Sequence, residues 1–282
     1  MIEILTPGPF ATVQDCGRPG WAHLAISPSG AADRASLELA NRLVGNPDGA
    51  AGIEATFGGL VLRARSAVLV AVTGAPLPVR RNGVGIGMGH AASLEAGEEL
   101  ALGAPWQGLR TYVALRGGLD VASHLGSRST DVLGGLGPAP LAPGQLLACG
   151  PEPTALPAPD QVPLRPATDV VRLRARLGPR ADWFSPEAAR LLAAVPWRVR
   201  PESDRVGVRL DGPPLLRTVL GELPSEGVVS GAVQVPPDGR PLVFLVDHPT
   251  TGGYPVLAVV LSADRDRIGQ LRPGQEVRFS LG

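Results

Sequence analysis

The chain has 282 residues, of which 44% are hydrophobic, and its 26 basic and 26 acidic side chains give a formal net charge of zero. This composition excludes global disorder, and the neutral balance argues against a general nucleic-acid binder. All 26 basic residues are arginines, so the chain offers no lysine for a Schiff base, a phosphate-binding loop or the attachment of biotin.

The sequence also indicates a cellular context. The two cysteines, Cys16 and Cys149, are too few and too far apart for a disulfide scaffold. The first residues are typical of a strand rather than a signal peptide, and no apolar run approaches the roughly 20 residues that span a bilayer. We therefore expect a cytoplasmic protein that binds neither nucleic acid nor membrane.

Short runs rich in Val and Leu, each bounded by turn residues, predict strands along most of the chain. The clearest runs are 67–72, 109–115, 170–177, 242–246 and 256–261. The 37 glycines and 30 prolines are scattered between such runs, which is typical of many turns joining short strands. The expected fold class is mainly β, with barrel-like or sandwich sheets and a few short helices.

Three helices are predicted among these strands. Residues 33–44 form an amphipathic helix, because apolar side chains recur on one face and a Gly-Asn-Pro stop follows. Ser185 predicts the N-cap of a second helix that runs through Ala194. Residues 262–270 are a third, shorter candidate.

The proline-rich stretch 151–169 predicts a linker between two halves. It divides the chain into an N-terminal β-rich half, 1–155, which contains the amphipathic helix, and a C-terminal half, 165–282. The boundary rests on proline content and on the loss of hydrophobic periodicity.

A turn pattern occurs three times, at 94–100, 141–147 and 271–277. In each case a Leu precedes an Ala-Gly or Pro-Gly pair, which is followed by a polar and then an apolar residue. Glycine at the third position fits a type II turn, where it supplies the positive φ. Such turns recur in any β-rich protein, so both coincidence and an internal duplication of two similar halves remain open.

The glycine-rich segment 18–34 leads into the first predicted helix. Helix N-termini attract anions, which would make Asp33 a substrate-binding residue. Alternatively, Asp33 and Ser29 simply cap the helix, and the residues alone favour the cap. Nearby, Arg18 would favour a reactive thiol at Cys16, whereas free cysteines are more often structural.

A second polar segment follows a predicted strand at 116–131. Its hydroxyl groups, arginines and aspartates include Arg128, which would hold a carboxylate or an amide by charge-assisted hydrogen bonds. The alternative is a solvated loop with local Ser and Asp turns, and composition alone favours that alternative.

The richest candidate site lies in the last 80 residues, where a polar loop follows the strand 242–246. His248 is predicted to act as an acid or base near neutral pH, with Asp247 and Glu226 as catalytic partners. Glycines in this loop would let backbone N–H groups approach a ligand closely. The predicted substrate-binding residues here are Thr250, Thr251, Tyr254, Gln234, Asp204 and Arg205.

Several familiar site types are absent from the sequence. It contains no Gly-x-Ser-x-Gly elbow, no zinc motif of the His-x-x-x-His or Cys-x-x-Cys type, no phosphate-binding loop and no dinucleotide fingerprint. We therefore predict no metal site.

Seven segments together resemble the allophanate hydrolase subunit 2 family. This family of biotin-dependent carboxyltransferase type includes the C subunits of bacterial 5-oxoprolinases, which are the most similar members. The segments, in chain order, are SGAAD (29–33), ANRLVGN (40–46), GSRSTD (126–131), SDRVG (203–207), SEGV (225–228), QVPPDG (234–239) and TTGGYP (250–255).

The resemblance implies two cyclophilin-like β-barrel domains. It also implies a companion subunit of the allophanate hydrolase subunit 1 type, often a third barrel subunit, and a small amide or lactam as substrate. The leading function is one subunit of an ATP-dependent 5-oxoprolinase complex that opens 5-oxoproline to L-glutamate and is inactive as a single chain. His248 would be the acid or base, and Arg128 or Arg205 would hold an anion.

Two other functions are implied by the same family. One is a carboxyltransferase component that acts on urea or a similar small amide, with biotin on another chain. The other is a regulatory module that binds a companion kinase-inhibitor subunit. The chain departs from the family pattern at Pro249, where a Gln is common, and at Val256, where a Lys is common, and the second departure removes a positive contact to substrate or phosphate.

Overall fold

The computed structural model describes residues 1–157, 161–164, 168–219 and 221–282. These residues form two compact units. Residues 158–160 and 165–167 of the predicted linker lie outside the described residues. Unit 1 comprises Met1–Arg18, Ser29–Asp131 and Gly135–Ala167, and unit 2 comprises Pro19–Pro28, Val132–Gly134 and Thr168–Gly282. Two short segments that precede the predicted linker therefore fold with the C-terminal residues.

Unit 1 is built from two sheets. Its strands are β1 (Ile2–Pro7), β2 (Phe10–Gln14), β3 (Gly52–Thr56), β4 (Leu60–Ala64), β5 (Val68–Gly74), β6 (Val79–Arg81), β7 (Val84–Ile86), β8 (Ala91–Leu94), β9 (Glu99–Leu102), β10 (Arg110–Leu115) and β11 (Leu146–Leu147). The six-stranded sheet has the order β11-β1-β4-β9-β6-β7, and the five-stranded sheet has the order β2-β3-β10-β5-β8. Apolar side chains from both sheets share one core, so the sheets pack face to face.

The single α-helix described in unit 1, α1 (Arg34–Leu43), confirms the prediction for 33–44. Its buried face places Ala40 and Leu43 against Ala71 of β5 and Ala114 of β10. The helix therefore covers the five-stranded sheet, whose central strand β10 is buried along its whole length.

Unit 2 contains a closed barrel with the order β12-β19-β16-β17-β14-β13-β20. The strands of this unit are β12 (Val170–Leu177), β13 (Trp197–Val199), β14 (Gly207–Asp211), β15 (Glu226–Gly227), β16 (Ala232–Gln234), β17 (Leu242–Phe244), β18 (Thr251–Gly252), β19 (Val256–Val260) and β20 (Glu276–Leu281). β15 and β18 form a separate two-stranded ribbon. The barrel confirms the mainly β class with few helices.

The sequence of β12 explains its place in the barrel wall. Val171, Leu173 and Ala175 are buried, while the arginines between them point to solvent. This period of two is typical of a strand with one apolar face. β12 pairs in parallel with β20 and antiparallel with β19, and its pairing with β20 closes the barrel.

Two α-helices of unit 2 were also predicted. α2 (Pro186–Ala194) begins after its N-cap Ser185, whose side chain accepts a hydrogen bond from the Ala188 amide. α3 (Arg265–Ile268) follows a 3₁₀ turn at Ser262–Asp264, within the predicted 262–270. No helix in the described part of the chain has the length and apolar character needed to cross a bilayer.

The recurring turn has the same geometry at its three positions. Gly97, Gly144 and Gly274 have φ of 91°, 79° and 82°. In each turn the residue after glycine donates its N–H to the carbonyl three residues back, at 3.0, 3.2 and 3.1 Å. The side chain of that residue also accepts the N–H of the first turn residue. The type II prediction therefore holds for all three turns.

Candidate functional site

The candidate site begins where β17 ends. Asp247 is buried and forms an ion pair with Arg205, with distances of 2.9 Å from Nε to Oδ2 and 3.1 Å from Nη2 to Oδ1. The Val132 amide donates to the same carboxylate at 3.1 Å, and the Asp247 amide donates to the Arg205 carbonyl at 3.1 Å. This pair anchors the start of the polar loop, since both side chains are almost wholly withdrawn from solvent.

His248 follows directly and is also buried. Burial lowers the pKa of its imidazole below 6.5, and the nearby Arg265 acts in the same direction. Nδ1 lies 2.6 Å from the Pro249 carbonyl oxygen, which makes a hydrogen bond when Nδ1 carries the proton. The imidazole is then neutral with Nε2 as its basic nitrogen, a form that can accept a proton near pH 7.

The ribbon of β15 and β18 brings further predicted residues together. Glu226 lies opposite Gly252 and Gly227 lies opposite Thr251 in this ribbon. The Thr250 carbonyl accepts the Val228 amide at 3.0 Å, which continues the pairing. The hydroxyl-bearing part of the loop is therefore fixed to the segment that carries Glu226.

Glu226 is not a free carboxylate in this arrangement. Arg180 donates to it from both Nε and Nη2, with Nε 2.9 Å from Oε1 and 3.0 Å from Oε2. These hydrogen bonds hold the pKa of Glu226 below its usual range. The ionised form therefore predominates at neutral pH, and Glu226 is suited to be a base or an anchor rather than a proton donor.

Gln234 fixes the far end of the loop. Its side-chain amide donates to the Tyr254 carbonyl at 2.9 Å and is buried. A Cβ on Gly252 would lie 2.6 Å from the same nitrogen, so a larger residue would displace the Gln234 amide from its hydrogen bond. This contact supports a structural role for Gly252. It does not require the Gly252 amide to donate to a ligand.

Tyr254 lines a cavity of about 640 Å³ in unit 2. Arg217, Glu222 and Asp238 line the same cavity, together with Pro214 and Pro237. The Arg217 guanidinium carbon lies 5.7 Å from the centre of the Tyr254 ring. The cavity therefore combines a cation, two carboxylates and an aromatic face, which suits a small polar ligand.

Asp204 and Val256 both make contacts that stabilise the local fold. The Asp204 carboxylate accepts the amides of Val206 and Gly207 at 2.8 and 3.1 Å, which forms the turn that leads into β14. Val256 is buried in an apolar cluster with Val228 and Phe244. A lysine at position 256 would place its stem in that cluster, so valine replaces a charge with apolar packing.

Asp33 and Arg128 belong to unit 1. The Asp33 side chain caps α1 by accepting from the Ser36 amide at 3.2 Å and the Ser36 hydroxyl at 2.7 Å. Arg128 donates from Nε to the Val121 carbonyl at 2.9 Å and faces Asp120. Substrate binding by these two residues stays a prediction. The contacts described for Asp33 are those of a helix cap, and those of Arg128 join two parts of the same loop.

The segment around Arg128 combines an exposed loop, 122–126, with a buried polar cluster that begins at Ser127. The Asp15 carboxylate accepts hydrogen bonds from the hydroxyls of Ser127 and Ser129 at 2.6 and 2.5 Å, and from the Arg128 amide at 2.6 Å. Cys16 next to it is partly buried, and burial raises the pKa of its thiol. A raised pKa disfavours the thiolate, which supports a structural role.

Nine of the eleven predicted site residues thus lie in unit 2. The structure pairs Arg205 with Asp247 and joins Gln234 to Tyr254, and the ribbon links Glu226 to the threonines. Sequence reasoning missed Arg180, the partner of Glu226, and Arg217, the cation of the cavity, because no motif surrounds either arginine. Among the described residues, no group of three or more His, Cys, Asp or Glu side chains is arranged to hold a metal ion.

Residues 24–281 match the family described as carboxyltransferase domain, subdomain A and B. The chain is 36% identical to the C subunit of 5-oxoprolinase from Escherichia coli (strain K12), over 99% of this chain and 90% of that protein. The crystal structure of TTHA0988 is 39% identical with a TM-score of 0.91, and that of the K. lactis urea amidolyase is 30% identical with a TM-score of 0.93.

This chain covers different shares of these relatives. It is matched over 99% of its own length by both solved structures, but it spans 56% of the TTHA0988 chain and 18% of the urea amidolyase chain. The family match, by contrast, extends over nearly the whole sequence, which confirms the resemblance carried by the seven segments. The chain therefore belongs to the carboxyltransferase domain, subdomain A and B, family.

Proposed function

We propose that this chain is one subunit of a cytoplasmic complex that uses ATP to open 5-oxoproline to L-glutamate, and that it is inactive without its companions. The observation that carries this proposal is the 36% identity to the C subunit of the E. coli 5-oxoprolinase, which extends over 90% of that protein. The companions would be a subunit of the allophanate hydrolase subunit 1 type and a third barrel subunit.

The geometry of unit 2 supports a role in handling a small amide. The neutral imidazole of His248 would accept a proton near pH 7, with the Arg205–Asp247 pair as positioning residues that hold the loop. The cavity beside Tyr254 would hold the lactam against the aromatic ring. A volume of about 640 Å³ exceeds the needs of a five-membered ring, so a partner or a second ligand would fill the rest.

ATP would supply the activation of the lactam, but the N-terminus of α1 is poorly suited to its phosphates. The N-terminus of α1 is the natural anion site, and three amides at and just before it already have protein partners. The Ala32 amide donates to Glu54 at 2.9 Å, the Asp33 amide donates to the Tyr112 hydroxyl at 2.7 Å, and the Ser36 amide donates to Asp33. A phosphate there would face two carboxylates, so we assign ATP binding to another chain.

The test is to purify the chain with its companions and measure 5-oxoproline-dependent ATP hydrolysis together with glutamate formation. We expect both products from the complete mixture and neither from this chain alone. A complete mixture that forms no glutamate would contradict the proposal. Tight binding to the companion subunit without any turnover would instead favour the regulatory module.

The likeness to the K. lactis urea amidolyase supports a second candidate, a carboxyltransferase component that acts on urea or a similar small amide. Biotin would then be attached to another chain, because this chain has no lysine. The discriminating assay supplies a biotinyl carrier, a biotin carboxylase, bicarbonate and ATP, and measures carboxylation of urea. If urea carboxylation depends on this chain, its function is carboxyl transfer and the proposed opening of 5-oxoproline is wrong.

A further inference from the structure

The cavity of unit 2 is lined by Arg217, which keeps one buried hydrogen-bond donor unused among the described residues. Arg217 donates from Nη2 to the Val235 carbonyl and lies against the Tyr254 ring. Its Nε is shielded from solvent and has no hydrogen-bond partner among the described residues. In the described part of the chain Arg217 forms no ion pair, whereas Arg174, Arg180 and Arg205 of the same unit each pair with a carboxylate.

Desolvation makes this guanidinium a strong electrostatic partner. Burial lowers the pKa of Arg217, because the surrounding protein replaces part of its hydration without replacing all of its hydrogen bonds. The field of a partly desolvated cation is less screened than that of an exposed arginine. A carboxylate of a bound ligand would therefore accept the hydrogen bond that Nε of Arg217 does not make within the protein.

The backbone around Arg217 is held in place. The Thr218 amide donates to the Trp183 carbonyl at 2.9 Å, and the Ser185 amide donates to the Leu216 carbonyl at 3.4 Å. These bonds lie on either side of Arg217 and form an antiparallel bridge between Arg217 and Phe184. A side chain on a pinned backbone next to a fixed tyrosine is preorganised, which favours ligand binding.

The two carboxylates of the cavity narrow the class of ligand. Glu222 and Asp238 would repel additional negative charge, which favours a ligand with a single carboxylate over a more highly charged anion such as inorganic phosphate. Both can accept an N–H from a ligand that carries a carboxylate and a nitrogen donor on neighbouring atoms. 5-Oxoproline has this combination, with its carboxylate on the carbon beside the ring N–H.

We propose that Arg217 binds the carboxylate of the substrate, while Asp238 or Glu222 accepts the neighbouring N–H and Tyr254 packs against the ring. This assignment rests on the proposed function and makes Arg217 a specificity-determining residue. It selects lactams that bear a carboxylate over lactams that do not.

The experiment uses the assembled complex and two substrates, 5-oxoproline and 2-pyrrolidinone, which has the same lactam without the carboxylate. Arg217→Gln should lower kcat/KM for 5-oxoproline by roughly 10- to 100-fold, the usual range for a lost charge-assisted hydrogen bond. The value for 2-pyrrolidinone should stay unchanged. Arg217→Lys should lose less, and Arg190→Gln, which changes an exposed arginine of the same unit, should leave kcat/KM for both substrates unchanged.

Calorimetric binding of 5-oxoproline to the complex without ATP separates the two proposals. If the wild-type complex turns over 5-oxoproline and Arg217→Gln affects both lactams equally, or affects neither, the carboxylate site is overturned and the function stands. If the wild-type complex binds 5-oxoproline through Arg217 without turning it over, the function fails and the carboxylate site stands. Absence of both binding and turnover overturns both.

Discussion

At the scale of single residues, the most deeply buried contact of the polar loop that follows β17 is the ion pair of Arg205 and Asp247. Its two side chains are 2% and 0% exposed, and the Val132 amide supplies a further donor to the carboxylate. Burying a charged pair stabilises little on balance, but removing one partner leaves a charge without compensation. The pair is therefore better understood as a device that fixes the loop than as a source of stability.

Arg205→Ala should accordingly destabilise the protein by about 3–5 kcal/mol in urea unfolding, because the Asp247 carboxylate stays buried without its cation. The double variant Arg205→Met with Asp247→Leu should lose less than the single variant, since no charge remains buried. Arg240→Ala, which breaks the exposed pair with Asp211, serves as the control and should leave the unfolding midpoint unchanged. Equal losses for the single and double variants would contradict this explanation.

His248 predicts a specific pH dependence. Its pKa in the folded protein lies below the unfolded value of 6.5, so the unfolded chain takes up the proton first as the pH falls. The free energy of unfolding should therefore decrease as the pH drops below 6.5, and this contribution should level off once the folded imidazole is protonated. His248→Asn should flatten the profile in that window, measured by urea unfolding at several pH values.

The exposed His23 gives a matched control, since His23→Asn removes a histidine from the same unit. A His248→Asn profile with the same slope as that of the wild type would rule out His248 as the origin of the pH dependence.

The sequence located the polar loop but not the roles of its residues. Asp247 and His248 are recognisable because a carboxylate and an imidazole follow an apolar strand. That Asp247 is paired with Arg205, 42 residues earlier, is a tertiary fact without a local signal. Arg217 was missed for the same reason, since its surroundings are made by Trp183 and Tyr254, which are distant in sequence.

At the scale of elements, the three type II turns offer the most direct test of local sequence. Gly144 has a φ of 79°, and a Cβ at this position would meet nothing within 4 Å. Gly144→Ala should therefore cost about 1–2 kcal/mol from backbone strain alone, and Gly144→Asn should cost less because asparagine tolerates the left-handed region. Thermal unfolding measures both values.

Gly85, in β7 of the same unit, provides the comparison. A Cβ at Gly85 also meets open space, but its φ lies outside the left-handed region. Gly85→Ala should thus be nearly neutral. If Gly144→Ala is as mild as Gly85→Ala, the strain explanation for the shared geometry of the three turns is wrong.

Long elements with one clear period were predictable. The strand predicted for 170–177 is observed as β12 over the same residues, because its apolar and charged side chains alternate throughout. Helix α1 was predictable from its cap and its glycine stop. The ribbon of β15 and β18 was not, because two-residue strands have no detectable period and depend on tertiary pairing.

At the scale of the whole molecule, the division into units does not follow the order of the chain. Segments 19–28 and 132–134 fold with unit 2, although both precede the predicted linker. The Ser27 hydroxyl donates to the Val246 carbonyl at 3.0 Å, and the Val132 amide donates to Asp247. A boundary predicted from composition at 151–169 does not show that these two segments belong to unit 2, since that membership depends on contacts between residues distant in sequence.

A fragment of residues 168–282 should therefore retain its barrel but lose order in the polar loop that follows β17. Hydrogen exchange followed by mass spectrometry should show faster exchange at 246–248 in the fragment than in the full chain. Amides of β12 and β19 provide the internal control, because their partners all lie within the fragment. Unchanged protection of 246–248 would show that the two N-terminal segments contribute nothing to the loop.

The closure of the barrel by β20 has a consequence for how the protein is made. β20 pairs with β12 on one side and with β13 on the other, so a nascent chain that has not yet reached Glu276 leaves both of those strands with an unpaired edge. Unpaired edges are templates for strands of other chains. Translation that stalls before β20 should therefore produce aggregates, and the speed of synthesis up to β20 becomes a determinant of soluble yield.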